Sequence, residues 1–566
     1  MSWRKFFRRG FIACLAVIFA LGAVIVGAAV ETFNGTGKYI MSEFETEEIA
    51  KQRAIQHAKE DAQDQAGVYL TGFSQSVNAR LTIDEISAVT NNILEVFDVK
   101  VEPMPFEIDG EPGIIWTATL SANIAPDGIF DFMKRDDKEK ITIVQQNTQL
   151  QDAIAKNDKQ VENLKEQYKR ATSEAEKNRI REQMKQADRD FLANEKFKEG
   201  YKFYYVKNYN EAIKAYTESL ELNPNCFEVY NNRGDIYRIL KKYDQAILDI
   251  NNALKLKQHE FMYNNRGLIY NDLSQYEQAI QNFDKAIEFN PNAAVFYNNR
   301  GNAYNNLNQY EKAIQDYDKA IYLDKNFSEA YYNRANSHSY LNQYEQAILD
   351  YNKSIELNPN LAEAYNNRGV VYRVLKKYEN AIQDYDMAIN LNPNNENYYY
   401  NRGNAYKDLG KYDKAIQNLD KAIELNTDNA AFYNNRGLVY MRNLNQNEIA
   451  IQNYTKAIQI NPSEVIFYYN RGLAYRNLQQ YEKAIQDYSK VIQINPNDVL
   501  AYNNRGLVYA MMKNFNQAIL DATKAIQLAP IDPIGYQIRG ACYKGLGDEA
   551  KAQADFAKAK ELGYKG

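Results

Sequence analysis

The stretch YNNRGNAYNNLNQYEKAIQDYDKAI, Tyr297–Ile321, decides the fold, because close copies of it recur down the chain. It reads as amphipathic helix, yet Asn298, Asn299 and Arg300 stand side by side on it. Asparagine is a poor helix former, since its side chain competes for nearby backbone groups. Arg300 has equivalents at Arg233, Arg266, Arg334, Arg368, Arg402, Arg436, Arg471, Arg505 and Arg539, separated by 33 to 35 residues. The short unit loses a residue near Gln258, and the long one gains a residue between Tyr440 and Ala450. Both are places where a helical repeat tolerates a change. An earlier copy, with Glu199-Gly200 in the Arg-Gly place, makes eleven units over 194–566.

This period and these residues resemble the tetratricopeptide repeat family. In the unit at Tyr297, Tyr297, Gly301 and Tyr304 match the family's first helix, and Ala313, Tyr317 and Ala320 its second; Pro359 and Pro393 take the loop place elsewhere. The resemblance implies a mostly α chain whose repeats form a superhelical solenoid of helix-turn-helix units. No unit buries enough to fold alone, so neighbours stabilise one another. Small residues such as Gly301 and Ala313 are expected to let the two helices of a unit approach.

The family has an apolar residue where this chain has the arginines, and an unpaired buried charge is expensive. Sixteen residues on from each Arg (seventeen in the long unit) stands an Asp or Asn. Structural ion pairs are therefore expected between Arg300 and Asp316, Arg334 and Asp350, and Arg368 and Asp384, within a unit or between neighbours. An anion-binding track of arginines is the competing reading; recurrence of the acidic partner favours the pairs.

One residue before the Arg, nine consecutive units carry Asn232, Asn265, Asn299, Asn333, Asn367, Asn401, Asn435, Asn470 and Asn504; the tenth carries Ile538. In the family this place looks onto the concave groove. A carboxamide offers both donor and acceptor, so it can grip one peptide group of an extended segment without reading its side chain. The row resembles the peptide-binding asparagine ladder of the repeat domain of O-linked GlcNAc transferase. A duplicated unit would also carry its Asn by descent, with the row binding only water. Another Asn often precedes the first, interrupted by Tyr332, Tyr400 and Tyr469, which would offer apolar contacts to peptide side chains. Lys and Arg are missing from the groove places that clamp a carboxylate tail in other members, so a chaperone-tail clamp is not expected.

Ahead of the array the sequence divides into 1–30, 31–132 and 133–193. Arg4, Lys5, Arg8 and Arg9 precede an uncharged run, Phe11–Val30. This reads as a signal peptide or a signal-anchor helix that places the rest outside the cytoplasmic membrane; its length favours the anchor. Residues 31–132 read as a small α+β domain. An Ala-rich helix with Ala50, Ala54, Ala58, Ala62 and Ala66 closes at Gly67; a second helix in LTIDEISAVTNNILEVF enters through a Thr82–Glu85 capping pattern; IIWTATLSANI alternates as a strand. This arrangement resembles the amino-terminal domain of the flagellar ring protein FlgT and LPP20-type lipoproteins, which implies an envelope-associated domain that contacts other proteins. Residues 137–192 read as one long helix. Leu150, Ile154, Asn157, Val161, Leu164, Tyr168, Ala171 and Ala175 form an a/d seam that slips by one before Ile180, Met184, Ala187 and Phe191. A homodimeric coiled coil through 150–191 and a solvated spacer both fit.

Composition narrows the function. The chain has 566 residues and net charge −5, against a general nucleic-acid binder, which needs a basic face. Cys14, Cys226 and Cys542, and likewise His57, His259 and His338, are scattered, so no disulfide framework, metal site or cofactor is expected. No Ser/His/Asp, Cys/His or phosphate-loop pattern appears; NGTG at Asn34 is too short to be one. The expected protein is a non-enzymatic scaffold that binds peptides or proteins of the cell envelope, or else an assembly factor of an envelope or surface-appendage complex. An enzyme acting through the 31–132 domain is the remaining alternative.

Overall fold

The computed structural model describes residues 31–564 except 43–44, 77–80, 109–110, 125–131 and 133–136. The basic and apolar segment 1–30 lies outside the described residues. The chain divides into two compact units, Met1–Pro291 and Asn292–Gly566.

The first unit opens with β1 (Glu31–Met41), α1 (Glu47–Ser76), α2 (Ile83–Ile93), β2 (Glu95–Ile108) and β3 (Glu111–Ile124). β3 lies between β1 and β2, antiparallel to both. The alanine stripe of α1 is fully buried against the sheet. It leaves so little room that a Cβ on Gly35 or Gly37 of β1 would run into the backbone of Ala58. NGTG is thus a strand segment in which glycine permits helix–strand contact.

Two expectations for this region need correction. α1 does not close at Gly67 but runs on to Ser76, because Leu70 continues the buried face of Ala62 and Ala66. The second helix, capped by Thr82 and Glu85 as expected, stops at Ile93; Glu95 onward is β2, whose β-branched and aromatic residues pair with β3.

The single long helix is also corrected. α3 (Asp137–Arg170) and α4 (Glu174–Tyr205) are separate, the second capped by the Ser173 side chain. Val161, Leu164, Tyr168 and Ala171 pack against Ile180, Met184 and Ala187, so the seam is buried within one chain as a helical hairpin. Asn157, on that seam, donates to the Ala187 carbonyl. The slip in phase is the turn. The boundary expected at 193/194 falls inside α4, whose last turns form the first helix of the first repeat: Gly200 faces Tyr216 as Gly301 faces Tyr317. Ile143 of α3 and Tyr205 of α4 belong to the same core as the sheet.

From α4 onward the chain is a solenoid of helix pairs, eleven among the described residues. Each regular unit has a first helix of 13 residues and a second of 14, as in Ala294–Asn306 and Tyr310–Leu323. The turn between them uses one left-handed residue, Asn308 (φ 58°) here and Gly410 (φ 78°) in another unit, which closes the first helix. Tyr317 is 1 % exposed and lies over Gly301, where a Cβ would come within 2.7 Å of the ring. The long unit absorbs its extra residue as a five-residue π-helix, Val439–Asn443.

Candidate peptide interface

The arginine row is held at the seam between repeats. Arg300 Nε and Nη2 donate to Asp316 at 2.8 and 2.6 Å. Arg334 pairs likewise with Asp350 at 2.7 and 2.6 Å, and Arg368 with Asp384 at 2.8 and 2.6 Å. Arg266, Arg402 and Arg436 each donate Nε to an Asn instead: Asn282, Asn418 and Asn453. All these pairs lie within one repeat. Nη1 reaches back to the second helix of the preceding repeat, as from Arg402 to Asp386, Arg471 to Thr455 and Arg505 to Ser489. Each guanidinium also lies 5.4–5.8 Å from the ring of the Tyr three residues earlier.

Burial pushes the Asp384 and Asp487 carboxyls above their usual range, and Arg368 and Arg471 only partly oppose it. Desolvation thus offsets much of the attraction, as is general for buried pairs. The row fixes how repeats meet more than it adds net stability.

The asparagines one residue earlier are buried or half-buried and bond from repeat to repeat. Asn265, Asn333, Asn401 and Asn470 donate Nδ2 to Asn231, Asn298, Asn366 and Asn434 at 2.9–3.1 Å. Asn367, Asn435 and Asn504 donate instead to the hydroxyls of Tyr332, Tyr400 and Tyr469 at 2.7–3.0 Å. The acceptor is always the residue just before the preceding unit's ladder Asn. Asn232 and Asn299 are each 7 % exposed.

In the second unit this splits the ladder into two kinds. Asn367 also donates to Asn336, Asn435 to Asn404 and Asn504 to the Leu500 carbonyl. Their Oδ1 atoms accept from Asn366, Asn434 and Arg476. These three carboxamides are saturated in that both Nδ2 donors are used and Oδ1 is already engaged. Asn333, Asn401 and Asn470 each make one bond through Nδ2, and nothing among the described residues donates to their Oδ1. They keep a donor and an acceptor, which a grip on a peptide group requires. At Asn367 and Asn435 the residue before makes the difference: Asn366 and Asn434 donate into the carboxamide beside them, while Tyr332, Tyr400 and Tyr469 make no such bond. At Asn504 the donor is Arg476 instead. Asn333 and Asn401 are half-buried, whereas Asn470 is 2 % exposed. The sequence shows both residue types; the saturation emerges only once neighbouring repeats are in contact.

A second polar cluster lies in the first unit. Arg53, 1 % exposed, bonds to Asp158 at 2.6 Å, Asn157 at 3.2 Å and Asp188 at 3.3 Å, tying α1 to the hairpin. Glu45 accepts from Tyr39, and Lys165 donates to the Tyr39 hydroxyl at 2.9 Å. Burial, followed by the like charge of Glu45, pushes the Asp188 carboxyl up to about 6. Sequence reading missed this cluster because its members are over a hundred residues apart. Its one available signal was a charged residue, Arg53, beside the Ala54 stripe.

The His57 ring sits 2.9 Å from the Lys38 carbonyl. Burial pushes the Cys226 thiol up to about 12 and Cys542 to about 11. Among the described residues no three His, Cys, Asp or Glu side chains cluster as metal ligands.

Stacked helix pairs at this period, with a small residue of the first helix against a side chain of the second (Gly against Tyr in five pairs, among them Gly301–Tyr317), define a helical-repeat scaffold. The chain belongs to the tetratricopeptide repeat family. A family model described as TPR repeat matches residues 267–308, 403–443, 442–479 and 472–513. Three described as Tetratricopeptide repeat match 294–327, 328–361, 362–395 and 499–532; 385–417; and 197–260. Tetratricopeptide repeat protein 36 of Caenorhabditis elegans is 43 % identical over 47 residues, 8 % of this chain and 26 % of that protein. The chain thus spans about a quarter of the length of this curated relative. Among solved structures, YrrB, described as a TPR protein with an unusual peptide-binding site, is 29 % identical. That match covers 33 % of this chain and 95 % of YrrB at a TM-score of 0.28. A tetratricopeptide repeat protein from Parabacteroides merdae is 21 % identical, covering 42 % of this chain and 94 % of its own at 0.35. Yeast Tom70 is 16 % identical, covering 67 % and 93 % at 0.34.

Proposed function

We propose that this protein is a non-enzymatic scaffold whose repeats bind extended segments of partner proteins, gripped at alternate repeats. The observation that carries this reading is the unsaturated carboxamide of Asn333 and Asn401, each beside a tyrosine. Asn470 has the same free groups in a more enclosed place. Each bond contributes only about 0.5–1.5 kcal/mol net, so a few grips hold a segment weakly and with little sequence preference. Family membership supports protein partners, since such arrays act as binding scaffolds. The basic and apolar pattern of residues 1–30 supports a location outside the cytoplasmic membrane; no described helix is long and apolar enough to cross one.

A peptide-display selection on the full chain tests the grip. Changing Asn333 and Asn401 together to Ala is expected to lose the peptides that the wild type enriches while the fold is kept. Changing the saturated pair Asn367 and Asn435 to Ala is expected to lower stability and leave the enriched peptides the same. If the first variant still enriches the same peptides, the reading is wrong.

A further inference from the structure

We propose that the cavity beside Arg436 is a binding site for a carboxylate. It has a volume of about 450 Å³, within the usual range for small-ligand sites. Tyr433 and Tyr440 line it with Arg436, Asn453, Lys456 and Asp420. It lies in the unit that carries the extra residue, and Tyr440 belongs to its π-helix, a feature frequent at functional sites.

Two departures from the repeat converge there. In seven units the guanidinium is paired with an Asp of its own repeat; here Asn453 takes that place. Asn453 accepts from Arg436 Nε at 2.7 Å and turns its own Nδ2 to the Ile449 carbonyl at 2.8 Å. Nη2 of Arg436 therefore meets no acceptor among the described residues. The second departure concerns Lys456. Of its seven equivalents, Lys285, Lys353, Lys421 and Lys558 pair with a Glu three residues on and Lys490 bonds to Gln493, whereas Lys319 and Lys524 have Tyr322 and Gln527 there. Lys456 has Gln459 there, and no described residue accepts from it. Arg266 and Arg402 also face an Asn, but Lys285 and Lys421 of those units keep their Glu. The unit of Arg436 is the one among them in which both acceptors are missing.

The charge left over selects the ligand class. Asp420 takes Nη1 of Arg436, so the two cations and one carboxylate leave a single positive charge. A monoanion with two acceptor oxygens balances it, one oxygen for Nη2 and one for the lysine, in charge-assisted bonds. A phosphate dianion would overshoot and sit against Asp420. The tyrosine rings suit a flat apolar group attached to the carboxylate. The carboxylate would belong either to a small molecule or to an acidic side chain of a partner polypeptide.

Calorimetric titration of the full chain distinguishes these sources, with benzoate, a capped Gly-Glu-Gly peptide and inorganic phosphate as probes. Benzoate binding without the peptide assigns a small molecule, binding of the peptide assigns a partner side chain, and phosphate is expected not to bind. Asn453→Asp would hand Nη2 an internal carboxylate. It is expected to weaken the bound probe about tenfold or more, with the unfolding temperature kept or raised. Asn418→Asp, the same change one repeat earlier, is expected to leave binding intact. The inference is overturned if neither carboxylate binds, or if Asn453→Asp binds as the wild type does.

Discussion

Asn367 donates its carboxamide to the hydroxyl of Tyr332 in the preceding repeat, at 3.0 Å. A side chain chosen in one repeat thereby fixes what its neighbour can do. Tyr332→Phe removes the acceptor and leaves the ring packing intact. Asn367 keeps its second acceptor, Asn336. The expected loss is about 0.5–1 kcal/mol, read as a lower urea midpoint at unchanged slope. An unchanged midpoint would mean that this bond contributes nothing to how the repeats join.

The Arg368–Asp384 pair predicts a non-additive result. Each partner is buried or half-buried, so removing one strands the other. Arg368→Met or Asp384→Leu alone is expected to cost about 3–5 kcal/mol, and the double variant less than either. A double-variant cycle by denaturant unfolding reads the coupling. If the two losses simply add, the pair is not the reason both residues are there.

Two glycines predict opposite signs. Gly67 is inside α1 with open space around the missing Cβ, so Gly67→Ala is expected to raise stability by about 0.5–1 kcal/mol. Gly301→Ala pushes a methyl into the Tyr317 ring and is expected to cost about 1 kcal/mol. The penalty stays modest because the equivalent place holds Ala335 in the next repeat, against Tyr351. Thermal unfolding of both variants decides it; a stabilising Gly301→Ala would show that the helices have room to spare.

The Asp188 carboxyl predicts a pH dependence. Its folded value, about 6, lies above the ordinary 3.8, so the folded state holds its proton more tightly than the unfolded state does. The stability this contributes is full below pH 3.8 and is lost as pH rises through about 6. Asp188→Asn mimics the protonated group and keeps an acceptor for Arg53. Its unfolding temperature is expected to fall less than that of the wild type between pH 4 and 6. A variant much less stable than the wild type at pH 8 would show that Arg53 needs the charge.

The repeats were legible because their signal is local: a fixed period, small residues at set places, and an Asp or Asn sixteen or seventeen on from each arginine. The capping of α2 by Thr82 and Glu85 was legible for the same reason. The end of α1 was not, since a glycine in an exposed turn weighs less than Leu70 on the buried face. The long seam of α3 and α4 had the correct residues and the wrong partner. Helical spacing says which face is apolar, but not whether another chain or the same chain covers it. The ladder was legible as a row of asparagines. Which members keep free hydrogen-bonding groups depends on contacts a repeat apart.

Asn298, Tyr332, Asn366, Tyr400, Asn434, Tyr469 and Asn503 alternate strictly through the second unit. A repeat is therefore interchangeable with the next but one, not with its neighbour. Copying or deleting a single repeat would set two tyrosines or two asparagines in succession and saturate or expose the wrong carboxamide. Copying or deleting two would leave every carboxamide as it was. The piece that can be duplicated here without rewriting the binding face is a pair of repeats, and changes in array length that preserve that face come in even steps.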